Sequence, residues 1–115
     1  NPDLVCPTEF GSVPNCGSDC KMVENATGKT PIVIGKPKPL MMELAMKKMG
    51  VEKDKTAVVG DRIYTDIKSG LSAGILSILV MSGETTREIL DASSEKPHLV
   101  MEDAGEILEV LKKQK

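Results

Sequence analysis

Three side chains in this sequence have the type and setting for phosphate and metal chemistry: Asp61, Asp66 and Lys36. The segment Thr56-Ala57-Val58-Val59-Gly60-Asp61-Arg62-Ile63-Tyr64-Thr65-Asp66-Ile67 reads as an apolar strand that stops at Gly60. Asp61 then stands at the carboxyl end of that strand, where open α/β sheets bind ligands. Asp66 follows five residues later, near the start of an expected helix, so both carboxylates can converge above the sheet edge. Hard oxygen donors of this kind suit Mg²⁺, which often takes one or two carboxylates and completes its shell with substrate phosphate and water. In Ile32-Val33-Ile34-Gly35-Lys36-Pro37, Lys36 lies between a glycine that permits close backbone approach and a proline that holds the residue before it extended. An ammonium aimed in this way suits the charge of a phosphoryl group. Plainer alternatives stand beside each reading. Asp61 can be a turn residue after Gly60, Thr65 or Asp66 a helix cap, and Lys36 a solvated surface lysine.

The elements that must position these residues follow from periodicity. Apolar runs at Leu4 to Cys6, Thr56 to Val59, Ile75 to Met81 and His98 to Met101 read as short buried strands. Helical spacing fills the stretches between them. Ala104, Ile107, Leu108 and Leu111 fall on one face of a helix capped by Asp103, with Glu106 three residues on and lysines at its end. A second helix is expected from Pro39 to Met49, stopped by Gly50, with Leu40, Met41, Leu44, Ala45 and Met49 packing inward and Met42 and Met46 partly outside that stripe. Ser18 is the expected cap of a helix ending near Gly28, and Thr85 with Glu88 reads as a capping box opening a short helix to about Ala92. Pro7 to Gly17 reads as a loop. Strands alternating with helices imply parallel βαβ units, hence an α/β fold with a partial Rossmann-like sheet and flanking helices.

Composition narrows the function classes. With 115 residues, 40% hydrophobic and 28% charged, the chain has the makings of one globular domain. Fifteen basic against seventeen acidic residues, without a basic block, disfavour a nucleic-acid partner. One Phe, one Tyr and no Trp leave no stacking platform for bases and require an aliphatic core filled out by the seven Met. No apolar run approaches the roughly 20 residues that span a bilayer, so no membrane role is expected. Three cysteines, Cys6, Cys16 and Cys20, read as reduced thiols, and with the absence of a signal segment this gives a cytoplasmic expectation. His98, the only histidine, is expected to be structural, and Arg62 an exposed arginine beside a turn.

In combination, Gly35-Lys36-Pro37, Gly60-Asp61-Arg62-Ile63-Tyr64-Thr65-Asp66-Ile67, Ala73-Gly74 and the Ser82-Gly83 turn resemble the carboxy-terminal half of haloacid-dehalogenase (HAD) superfamily phosphatases. The nearest branch is the capped nitrophenylphosphatase and nucleotidase-like, or NagD-like, group. The opening Asn1-Pro2-Asp3, Pro14 with Gly17, and Thr27-Gly28 extend the likeness over nearly the whole chain. The resemblance implies a Mg²⁺-dependent phosphomonoesterase working on small phosphorylated substrates. An aspartate near the amino terminus forms an aspartyl-phosphate, and a second aspartate two residues later serves as acid and base. By the same likeness Lys36 would be the lysine that neutralises phosphoryl oxygens, Asp61 and Asp66 would hold the metal, and Asn1 would lie on the substrate side where the chain returns from the cap.

The sequence departs from that pattern in one large respect: it contains no Asp-x-Asp motif and no cap-sized insertion. The expectation is therefore a chain starting just after the cap, comprising over residues 1–115 the carboxy-terminal part of the core and inactive alone. Its unpaired strand edges and uncovered helices should favour self-association or pairing with the complementary half. The alternative is a non-catalytic α/β module that keeps a phosphate cradle without a nucleophile.

Overall fold

Three apolar runs, each stopped by a turn, pair side by side in the same direction. The computed structural model describes residues 2–113, so Asn1, an expected substrate-side residue, lies outside the described residues. Strands β1 (Val5–Thr8) and β2 (Gly11–Pro14) lead into helix α1 (Cys16–Thr27) and then α2 (Leu40–Met49). Strand β3 (Ala57–Gly60) is followed by a π-turn (Ile63–Ile67) that runs directly into α3 (Lys68–Ala73). Strand β4 (Leu76–Val80), α4 (Arg87–Ala92), β5 (Leu99–Met101) and α5 (Ala104–Lys112) complete the order. The sheet is parallel in the order β3-β4-β5, with Val58 opposite Ser77 and Leu79 opposite Val100. This is the α/β parallel sheet with flanking helices that the alternation of elements predicts.

Two apolar clusters hold these layers. Met46, Val58, Ala73 and Ile75 form one, with Met42 packed against it, while Ile63, Ile67, Leu79 and Leu90 form the other, with Leu71 and Met81. Each fully buried aliphatic side chain contributes about 1.5–3 kcal/mol relative to exposure. Close contact of α3 with the sheet depends on Gly70, where a Cβ would fall 2.2 Å from Val58 Cγ1 and 2.4 Å from Ser77 Oγ. No helix among the described residues is long and apolar enough to cross a membrane.

Several local expectations need correction. Leu4 to Cys6 is no buried parallel strand, and Pro7 to Gly17 is no simple loop. Residues 5–14 form an antiparallel hairpin exposed along its whole length, because no helix or second sheet among the described residues buries it, and the helix that follows begins at Cys16. Asn15 caps that helix by accepting from Cys16 N at 2.8 Å, whereas Ser18 Oγ donates to Leu4 O at 2.5 Å. The helix does stop at Gly28, which takes a left-handed φ of 68°. On α2 the inward face is the reverse of the one expected. Met46 is buried and Met42 packs on the core, while Leu40, Met41, Leu44 and Met49 are exposed. This helix is apolar nearly all round, so spacing alone does not select a face; its packing against α3 does. Thr86 rather than Thr85 caps α4, accepting from Ile89 N at 3.3 Å. Asp103 caps α5 as expected, through Gly105 N at 2.7 Å and Glu106 N at 3.1 Å, yet no residue of that amphipathic helix is buried.

Candidate functional site

Strand β3 ends at Gly60 and delivers Asp61 to the rim formed by the carboxyl ends of the parallel strands. The loop after β4 wraps against it. Asp61 Oδ2 accepts from Glu84 N at 2.9 Å, and its carbonyl accepts from Thr85 N at 3.2 Å and Thr85 Oγ1 at 2.6 Å. The approach is this close because residue 83 is glycine: a Cβ there would lie 2.2 Å from Asp61 Oδ2. Asp61 is therefore tied to a second loop as well as turning its own.

The π-turn carries the second carboxylate back to the same rim. Ile67 N donates to Arg62 O at 3.2 Å, widening the turn, and Asp66 Oδ2 accepts from Arg62 N at 3.2 Å. Wide turns of this kind are frequent at functional sites. Asp66 lies directly over Gly60, where a Cβ would fall 2.2 Å from Asp66 Cβ, and is only 6% exposed. Asp66 therefore accepts from the N–H at the start of the helical stretch in addition to any role at the rim. Thr65 Oγ1 is buried with no hydrogen-bond partner. Lys36, in the loop between α1 and α2 and joined to Pro37 by a cis peptide bond, donates its ammonium to Asp66 Oδ1. Two of the three residues singled out from the sequence thus meet directly, and the third flanks them on the same rim.

Sequence reasoning missed what surrounds them. Arg62 is half-buried rather than exposed, its Nε 2.6 Å from Glu84 Oε2, and the Tyr64 hydroxyl donates to Glu84 Oε1 at 3.1 Å. Together with Asp3, Leu4 and Asn15 these residues line a cleft of about 410 Å³. Partial burial, then the hydrogen bond to Glu84, pushes the Tyr64 phenol above its ordinary pKa. Burial disfavours the Arg62 charge, but the neighbouring Glu84, Tyr64 and Asp61 more than offset this and hold it charged. Asp61 directly follows the end of β3, whereas Glu84 lies four residues past the end of β4 at Val80, so the signal available in the sequence is only an acidic residue in a loop at the carboxyl end of a strand. His98 sits just before β5 and is tied to β4: Ser77 N donates to its Nδ1 at 3.1 Å and its own N donates to Ser77 O at 2.9 Å. The cysteines are free thiols, and the hydrogen bond with Cys16 pushes the Cys20 thiol pKa up.

Among the described residues no three His, Cys, Asp or Glu side chains gather into a site able to hold a metal by themselves. The donors at the rim are the carboxylates of Asp61 and Asp66, hard and anionic, beside a lysine suited to phosphate. That set fits a Mg²⁺ ion sharing its shell with phosphate and water, and fits a thiolate-loving metal poorly.

A parallel sheet flanked by helices, with Asp61 and Asp66 gathered at the carboxyl end of β3 and Lys36 brought to Asp66 by the loop before α2, defines an α/β protein. The HAD-hydrolase-like family model matches residues 33–107, and the chain belongs to that family. It is 45% identical over 83 residues to the dihydroxyacetone phosphatase of Corynebacterium glutamicum strain R, covering 72% of this chain and 30% of that protein. It is 41% identical over 97 residues to the 5′-nucleotidase YutF of Bacillus subtilis strain 168, covering 84% of this chain and 38% of that one. The solved 4-nitrophenylphosphatase of Thermotoga maritima superimposes with a TM-score of 0.83 at 46% identity, covering 94% of this chain and 42% of that one. The branch read from the sequence motifs is the one found among its structural neighbours. The chain spans less than half the length of each of these relatives.

Proposed function

We propose that residues 1–115 form the carboxy-terminal part of a phosphatase core, and that the protein they complete hydrolyses small phosphate esters with Mg²⁺. The observation that carries this reading is the pairing of Lys36 with Asp66 on the rim where Asp61 is fixed. Asp61 and Asp66 would hold the ion, which when bound supplies positive charge to the transferring phosphoryl group. Lys36 binds the phosphoryl oxygens and orients the buried Asp66 carboxylate through their ion pair. Asn1, outside the described residues, would bind substrate. An aspartate from an Asp-x-Asp segment outside this chain forms the new bond to phosphorus. The ester P–O bond breaks, the second aspartate gives its proton to the leaving alcohol, and it then takes one from the water that releases phosphate. The substrate class is that shared by the names of the relatives, a small phosphate monoester. Pairing with the nucleophile-bearing half would cover the apolar side chains that α2 and α5 leave exposed, and self-association is the outcome when that half is withheld.

Alone, the chain is expected to show no turnover, since it has no Asp-x-Asp pair. Grafted in place of the matching segment of the Thermotoga 4-nitrophenylphosphatase, it should support Mg²⁺-dependent hydrolysis of 4-nitrophenyl phosphate. That activity should fall by about two orders of magnitude or more in Lys36→Met, the scale expected when a residue that stabilises transition-state charge is removed. A folded graft with full activity in Lys36→Met would overturn the assignment, as would Lys36-dependent hydrolysis by the isolated chain. Calorimetric titration of the chain itself with Mg²⁺, lost in Asp61→Asn, checks the metal assignment without turnover.

A further inference from the structure

We infer that Glu84 is a positioning residue whose side chain latches the loop after β4 so that its own backbone N–H fixes the Asp61 carboxylate. The contacts form a closed circuit. Glu84 N donates to Asp61 Oδ2 at 2.9 Å, while the Glu84 carboxylate reaches back to Arg62, the residue next to Asp61, at 2.6 Å from Nε. Its other oxygen accepts from the Tyr64 hydroxyl at 3.1 Å, on the turn that carries Asp66. One residue thus grips Asp61, Arg62 and Tyr64, the first part of the segment that leads to Asp66, through three separate hydrogen-bonding groups. At its start the loop is held by Met81, whose N donates to Met101 O at 2.9 Å and whose side chain packs on the core. Ser82 and Gly83 are exposed, and Gly83 provides space for Asp61 rather than contact of its own. Thr85, buried and bonded to the Asp61 carbonyl, anchors the far side of the loop but touches no carboxylate oxygen.

A carboxylate can hold Arg62 and Tyr64 simultaneously because it has two acceptor oxygens, and glutamine keeps one carbonyl oxygen of the same reach. Alanine keeps neither. The latch therefore depends on the side chain of residue 84, while the bond to Asp61 uses a backbone group that every substitution except proline retains. This separates positioning from direct contact: a change at the side chain alters how well the N–H is aimed without removing it.

The inference rests on the proposed metal role of Asp61 for only one of its two readouts. In the metal-free chain, hydrogen exchange at the Glu84 and Thr85 amides should be about tenfold faster in Glu84→Ala and near the wild-type rate in Glu84→Gln, reflecting a more frequently opened loop. In Mg²⁺ titrations Glu84→Ala should bind about tenfold more weakly, the scale seen when partners that orient metal ligands are lost, with Glu84→Gln restoring most of the affinity. Arg87→Ala, which breaks the exposed Arg87–Glu102 pair, should change neither readout. Unchanged exchange at both amides in a folded Glu84→Ala chain overturns the latch. Faster exchange together with wild-type Mg²⁺ binding by Asp61→Asn leaves the latch standing and removes Asp61 from the metal site.

Discussion

Residues 57–80 and residues 5–14 are both built around short strands, but they end in opposite states. The first stretch buries Val58, Ile63, Ile67, Ala73, Ile75, Ile78 and Leu79, whereas all eight strand residues of the hairpin are exposed. In both, each strand is hydrogen-bonded along its length to at least one neighbour. The difference is the covering layer: α3 lies on the parallel sheet at the distance Gly70 permits, while among the described residues no packed layer buries either strand of the hairpin. The hairpin is tied to its neighbours by polar groups instead, through Asn15 N to Leu4 O and Gly17 N to Asp3 O, each at 3.0 Å. Ladder hydrogen bonds define a strand, but apolar cover decides how much stability it carries. The rim site is built on the covered stretch, where the backbone holding Asp61 and Asp66 is least free to move.

The contrast can be broken most forcefully from the core. Leu79→Ala, at a side chain with no solvent exposure, should cost about 2–5 kcal/mol in urea unfolding. Leu111→Ala, on the uncovered α5, should change stability by no more than about 0.5 kcal/mol. Equal costs would mean that α5 is covered in solution. Of intermediate size is Lys36→Met, which leaves the Asp66 carboxylate without its cation. Because Lys36 is 39% exposed and screened, a loss of about 1–2 kcal/mol is expected, below the range for fully buried pairs. Arg87→Met at an exposed pair should register within about 0.5 kcal/mol by the same measurement.

The smallest effect is optical. Tyr64 is the only tyrosine and there is no tryptophan, so absorbance near 295 nm follows its phenol alone. Its midpoint should lie above the ordinary phenol value and move down in Glu84→Gln. The folded state holds this proton more tightly. Its contribution to stability is therefore complete below the unfolded phenol's pKa and fades as pH rises through the folded value. A midpoint unaffected by Glu84→Gln would show that burial alone sets it.

Much of the rim was legible because its signals are local. Gly60 ending an apolar run and Asp61 immediately after it fix a position that no tertiary contact is needed to locate. Lys36 and Asp66 were identified separately, and the geometry joining them across thirty residues comes from packing. Glu84 escaped notice because its role lies in what its side chain reaches, and a capping reading centred on Thr85 drew attention one residue along. The face of α2 was illegible for a different reason. Met41, Met42, Met46 and Met49 make the helix apolar on several sides, so only the site of contact with α3 distinguishes Met46. Hairpin and loop were confused because Pro7, Gly11 and Pro14 are turn formers that an exposed two-stranded ribbon also tolerates.

The order β3-β4-β5 leaves β3 with a neighbour on one flank only among the described residues. Its other flank offers peptide groups along Ala57 to Gly60, and Val59 there is 47% exposed. A strand that zipped onto this margin in the same direction would run out level with Gly60, and its final residues would arrive beside Asp61. The open border is therefore a place where a further parallel strand, laid down in register with β3, would bring its last side chains to Asp61.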